Sequence, residues 1–325
     1  VNGQNLISHE DAAELGRRLA AGDRLAAPPA LNLLEQRGED AQARADTLLA
    51  EISPEKLGHE SPGVIVGITG PPGAGKSTLL SELISLWRKR DKSVAVLAID
   101  PSSKRSGGSL LGDRARMAVD SRDDAVLVRS SATATRLGGL APTTRESAMA
   151  LAATFDVVIV ETVGVGQSET DIAELADIVV VIVQPASGDV LQFIKSGVME
   201  IPDLLVVTKK DLGKIALNAS RDLHSALRAI GSKTPVLLVS SVPPTSGVGD
   251  LIGTVEEQFA ELDLTERRSR VRRLAALDSF VQENGERGLR ALGGRRGAEK
   301  LLAEQVPTLG HRQLRQILDE RASAQ

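Results

Sequence analysis

Between Val64 and Trp87 the chain passes from an apolar, β-branched run into glycines and prolines and then into the helical spacing Leu79, Leu80, Leu83, Ile84 and Trp87. That order predicts a strand, a tight loop and a helix. The loop, Gly70-Pro71-Pro72-Gly73-Ala74-Gly75-Lys76-Ser77-Thr78, fits G-x-x-x-x-G-K-[ST] from Gly70 to Ser77. Glycines let successive backbone N–H groups curl toward one phosphate, and the following helix N-terminus adds about half a positive charge behind it. Lys76 is placed to reach the outer phosphates, and Ser77 offers a hydroxyl to Mg²⁺.

Short apolar runs recur beyond this point, at 94–99, 125–128, 157–160, 178–183, 204–207 and 236–239, each separated by a helix-length segment. Runs greasy on both faces argue for an α/β fold of the P-loop NTPase kind, a mainly parallel sheet flanked by helices. Ligand is then expected beyond the carboxyl ends of the strands. Before the central domain, taken as 61–262, residues 1–60 read as a helical segment. Ser8 caps its first helix, Gly22 stops it, and Pro54 with Gly58 and Gly63 marks the boundary. After it, residues 263–325 show no strand signal and open with Arg267, Arg268, Arg270, Arg272 and Arg273. A solvated helix face is expected for these arginines. The narrow apolar stripe of Leu274, Leu277, Phe280, Leu314, Ile317 and Leu318 suggests a dimerisation arm.

The other strand ends decide which nucleotide is read. Residues 156–164 place Glu161 at a strand terminus with Gly164 three residues on, the D-x-x-G arrangement of GTP-binding proteins with Glu for Asp. The acid can hold Mg²⁺ through water, and the Gly164 N–H can meet the γ-phosphate. Asp100 ends another strand. The glycine-rich 107–114 segment that follows reads as a mobile switch able to bring Asp113 to the metal. Thr208-Lys209-Lys210-Asp211 corresponds to N-K-x-D with Thr for Asn: the Asp211 carboxylate accepts from guanine N1 and N2, and the Lys209 stem covers the ring. Ser240, Ser241 and Val242 follow the next strand, where a loop N–H would contact guanine O6.

Composition narrows the partners. The chain has 325 residues, no cysteine, 2% aromatics and a formal charge of −4. These features disfavour thiolate metal sites, disulfides and a nucleic-acid surface. No apolar run is long enough for a membrane helix, and the first twenty residues lack a basic head and apolar stretch, so a soluble cytoplasmic protein is expected. A metal-delivery GTPase of the nickel or zinc type would want clustered Cys or His, whereas His9, His59, His224 and His311 are scattered. An ATP-dependent kinase or transport ATPase is the other alternative.

With these motifs in order, the chain resembles the methylmalonyl-CoA mutase-associated GTPases, formerly labelled arginine/ornithine transport ATPases, over about residues 10–320. The resemblance rests on the phosphate loop, on 98–103, on 107–114 and on Glu161-Thr162-Val163-Gly164-Val165-Gly166-Gln167-Ser168-Glu169. The segment from Gln184 to Glu200 resembles that family's additional switch facing the client enzyme. Thr208 and an apparent Pro243-Pro244 insertion depart from the pattern. What the resemblance implies is a homodimeric GTPase, using GTP, GDP and Mg²⁺, that binds an adenosylcobalamin-dependent acyl-CoA mutase and gates cofactor loading and protection. Val165 stands where many signalling GTPases carry a water-orienting glutamine, so nearby Gln167 is the candidate for that role.

Overall fold

The computed structural model describes residues 7–100, 122–132, 140, 142–162, 168–185 and 202–324. The chain divides into two compact units, one of residues 62–261 and one combining 1–61 with 262–325.

In the central unit, seven strands among the described residues form one sheet. They are β1 (Val64–Thr69), β2 (Val94–Asp100), β3 (Val126–Ala132), β4 (Val157–Thr162), β5 (Ile178–Val183), β6 (Leu204–Val207) and β7 (Val236–Leu238). The order is β3-β2-β4-β1-β5-β6-β7, and every pairing is parallel. β1, β4, β5 and β6 are buried along their full length, as runs greasy on both faces require. One acidic device recurs at the strand entrances. Asp156, Asp177 and Asp203 each stand one residue before a strand and accept, at 2.8 Å, the backbone N–H of Ser93, Ile65 and Val179 respectively. Register is fixed at the amino ends, leaving the carboxyl ends to carry irregular loops.

The phosphate-loop helix is Lys76–Lys89. Its Leu79, Leu80, Leu83, Ile84 and Trp87 join the inward side chains of β1, β2, β4, β5 and β6 and Val248, Leu251, Ile252 and Val255 of helix Val248–Glu261 in one apolar cluster. Gly67 in β1 admits helix Ser168–Ala173, since a Cβ there would lie 2.7 Å from the Ile172 side chain.

The second unit joins the two chain ends. Helix His9–Ala20 starts on the expected Ser8 cap, reinforced by a capping box with Asp11, and ends at Ala21 before Gly22 in the left-handed region. Helices Ala27–Leu34 and Glu39–Glu51 follow. The terminal helices are Leu264–Ala291, kinked at Gly285 (φ 57°), then Gly294–Ala303 and His311–Ser323. One sequence expectation is corrected here. The arginine run is not a solvated face throughout: Arg268 donates to the Ser61 carbonyl at 2.6 Å, and Arg272, 2% exposed, grips Glu60 through two bonds of 3.0 and 2.7 Å. Arg272 also donates to the Pro307 carbonyl. Alternate arginines point inward because positions 268 and 272 are one helical turn apart, on the face that meets 60–61. Much of the apolar stripe is covered within the unit, with Leu274 and Ile317 staying half-buried. Leu277, Phe280, Leu314 and Leu318 bury one another with Leu289, Leu292, Ala298 and Leu302.

Candidate nucleotide site

The carboxyl ends of the strands carry the predicted residues that lie among the described ones. β1 lies between β4 and β5, where strand order turns outward in both directions, so its exit is the crevice of an open parallel sheet. The loop leaving it has Gly70, Gly73 and Gly75 at φ +152°, +77° and +89°. At Gly70 a Cβ would come within 2.5 Å of the Ile182 carbonyl, so glycine is required there by both backbone angle and space. Gly75 caps the following helix without a side-chain hydrogen bond, leaving first-turn N–H groups to serve an anion.

Lys76 is 7% exposed, and its Nζ donates to the loop's own Gly70 and Pro71 carbonyls at 2.8 and 3.1 Å. The ammonium is thereby held at the loop, ready to exchange carbonyl partners for phosphate oxygens. Ser77 occupies the helix's first turn. Glu161, 5% exposed, sits in β4 in register with Ile68 of β1 and Ala98 of β2.

Hydroxyl and carboxylate are the hard oxygen donors that Mg²⁺ takes, and that ion uses one or two protein ligands with phosphates and waters rather than a closed cage. The donor set therefore fits the ion. Among the described residues, no three His, Cys, Asp or Glu side chains gather as a metal site. Asp100 closes β2. Asp113, Gly164, Gln167 and residues 186–200 lie outside the described residues.

The loop after β6 leans on the phosphate loop. Thr208, 3% exposed, donates its hydroxyl to the Ala74 carbonyl at 2.7 Å. The Thr-for-Asn departure thus keeps a strut between the two loops. Lys209 adopts a left-handed backbone (φ 55°), and its Nζ donates to the Gly73 carbonyl at 3.0 Å. The Lys210 N–H donates to the Val239 carbonyl, drawing the loop toward the exit of β7. There Ser240 donates its hydroxyl to Asp211 Oδ1 at 3.1 Å. A two-way backbone pairing of Ser240 with Ser246 closes the loop that carries Ser241, Val242 and the Pro243-Pro244 pair. Lys209, Asp211, Ser240 and the phosphate loop, distant in sequence, are brought into one connected set. Sequence reasoning placed Gln184, directly after β5, at the head of a switch segment facing a client and gave it no part in the nucleotide site. For a role beside the phosphate loop its signal was its place at a strand exit, which several strands share.

Residues 27–290 match the family model described as methylmalonyl Co-A mutase-associated GTPase MeaB. A Caulobacter vibrioides protein named as a GTPase is 44% identical over 71% of this chain and 70% of its own length. A mitochondrial protein of Caenorhabditis elegans named methylmalonic aciduria type A homolog is 36% identical over 82% of this chain and 72% of its own. Among solved structures, one titled as a LAO/AO transport system kinase superposes with a TM-score of 0.67 at 30% identity, covering 97% of this chain and 99% of that one.

Proposed function

Because the chain belongs to the methylmalonyl-CoA mutase-associated GTPase family and is a GTP hydrolase, we propose that it couples GTP turnover to adenosylcobalamin loading and protection of an acyl-CoA mutase of the methylmalonyl-CoA type. The family's description supports the client. The observation that carries the guanine reading is the bonded set Ala74–Thr208 and Asp211–Ser240, which holds a carboxylate beside a strand exit at a fixed distance from the phosphate loop. In this reading the Asp211 carboxylate accepts from guanine N1 and N2, the Lys209 stem covers the ring, and the 241–242 backbone meets O6.

Gly73, Ala74 and Gly75 amides with Lys76 cradle the phosphates, and Lys76 moves from the Gly70 and Pro71 carbonyls onto the β/γ oxygens as charge builds on them. Ser77 and Glu161, with Asp100 and Asp113, would hold Mg²⁺, which when bound would supply charge neutralisation to the phosphates. The Gly164 N–H takes charge from the γ-phosphate, and Gln167 orients the attacking water. Slow turnover in isolation, completed by the client enzyme, follows from Val165 in the position after Gly164. A homodimer belongs to the same reading through the family resemblance rather than through the terminal stripe. Cytoplasmic residence also belongs to it. No helix among the described residues is long and apolar enough to cross a membrane.

The kinase title of the similar structure favours a second reading, an ATP-using transport protein. Competition separates the two: GTP should displace labelled GDP at least tenfold better than ATP, and Asp211→Asn should move preference toward xanthosine nucleotides, whose C2 oxygen pairs with an amide donor. Nucleotide-dependent co-elution with a methylmalonyl-CoA-type mutase tests the client. Equal ATP affinity defeats the guanine reading, and absence of co-elution in every nucleotide state defeats the client.

A further inference from the structure

Two neighbouring strand exits send three side chains to one edge of the phosphate loop. From β6 come Thr208, bonded to the Ala74 carbonyl, and Lys209, bonded to the Gly73 carbonyl. From β5 comes Gln184, half-buried. With its nitrogen toward the loop, the Gln184 amide donates to the Gly73 carbonyl at 3.1 Å and accepts from Lys209 Nζ at 3.1 Å. The opposite orientation would face oxygen only to acceptors and nitrogen only to donors, so hydrogen bonding fixes the assignment. Gln184, Lys209 and Gly73 therefore close a ring of three mutual contacts.

We infer that Gln184 is a positioning residue for the nucleotide, holding the Lys209 side chain against the phosphate loop before the base arrives. The inference rests on the reading of Lys209 and Asp211 as the guanine subsite. A lysine stem has four rotatable bonds and gives up considerable rotamer freedom when it is laid along a ring. One bond from Nζ to a carbonyl at the surface restrains it weakly. A second acceptor on the same ammonium, itself bonded to the same carbonyl, settles that loss in the free protein, so that less affinity is spent on ordering when ligand binds. It also makes base and phosphate subsites a single unit, because Gly73 moves with Lys209. Gln184 bonds Lys209 and the Gly73 carbonyl and is assigned no part in the chemical step, so its loss weakens binding of GDP and GTP alike and raises KM with little change in kcat.

The experiment is a calorimetric double-mutant cycle on the full chain with GDP as probe. Gln184→Leu is expected to loosen GDP by about tenfold while kcat stays within about twofold, and Gln184→Glu, which keeps an acceptor for Lys209, recovers part of the affinity. In a Lys209→Met background, Gln184→Leu should add less than about twofold. Parent-like GDP affinity in Gln184→Leu, or an equal loss in the Lys209→Met background, overturns the inference. Gln184→Met, of similar length and with no nitrogen or oxygen, replaces Gln184→Leu in the cycle should that variant not fold, with the same two outcomes. Asp211→Asn assayed for xanthosine against guanosine nucleotides reports separately on the subsite. A switch alongside inert Gln184 variants removes this inference alone, whereas no switch removes the guanine reading beneath it.

Discussion

Glu146 lies on helix Pro142–Ala152 with 7% exposure, and burial pushes its carboxyl from 4.5 up to about 7, opposed by the charge of Arg145. The folded state therefore binds this proton more tightly than the unfolded chain does. Stability from the site is complete below the unfolded value of 4.5 and is lost as pH rises through about 7. The loss is on the order of 3 kcal/mol. Urea midpoints at acid and at mildly alkaline pH should diverge for the parent and converge for Glu146→Gln, which keeps the shape and removes the titration. Thr208 offers a second test at this scale. Thr208→Val preserves volume and strips the donor from the Ala74 carbonyl, which should cost about 1–3 kcal/mol and loosen GDP, read by denaturation and calorimetry. Motif spacing picked out Thr208 only as a departure. Its strut was invisible beforehand because the acceptor lies 134 residues away in sequence and meets it only when β1 and β6 stand in one sheet.

At the scale of elements, the parallel sheet was legible because buried strands announce themselves as unbroken β-branched runs. All seven strands among the described residues overlap the apolar runs read from the sequence, although β3 continues past its run through Arg129, Ser130, Ser131 and Ala132. Their order in space was not legible, since 157–160 and 178–183 look alike as sequence, yet flank β1 on opposite sides. Gly67 shows what close approach of elements demands. A methyl there would sit 2.7 Å from the Ile172 side chain and 2.9 Å from that of Ala176, so Gly67→Ala should overpack the β1 interface by about 1–3 kcal/mol. The prediction is a lowered thermal midpoint with phosphate-loop chemistry otherwise retained, checked by melting and by GTP hydrolysis at low temperature. The candidate site was legible in part for the same reason as the strands: loops at carboxyl ends must carry the polar residues. Gln184 escaped because nothing local marks one strand exit as touching its neighbour's lysine.

Across the whole molecule, residues separated by 212 positions make the Arg272–Glu60 contact, and both partners are buried, at 2% and 7% exposure. Truncating one leaves the other charged and out of water, so Arg272→Ala should destabilise the terminal unit by about 3–5 kcal/mol. The chain carries one tryptophan, Trp87, buried in the central unit. Its fluorescence and the far-ultraviolet helical signal should therefore separate into two transitions in the variant, where coincident curves would show that the pair carries no such weight. Length and apolar patterning had divided the chain into three consecutive stretches, because a sequence displays only what is adjacent along it. What the sequence by itself determined was the local chemistry. A glycine-rich loop must open a helix, β-branched runs must form strands, and carboxylates must stand at their ends, since these follow from backbone sterics and side-chain type within a few residues. What only the tertiary structure decided was which distant groups share a hydrogen bond. Inward or outward arginines, a strut from Thr208 and the ring through Gln184 all depend on desolvation and donor–acceptor distance, which exist only once the chain has folded.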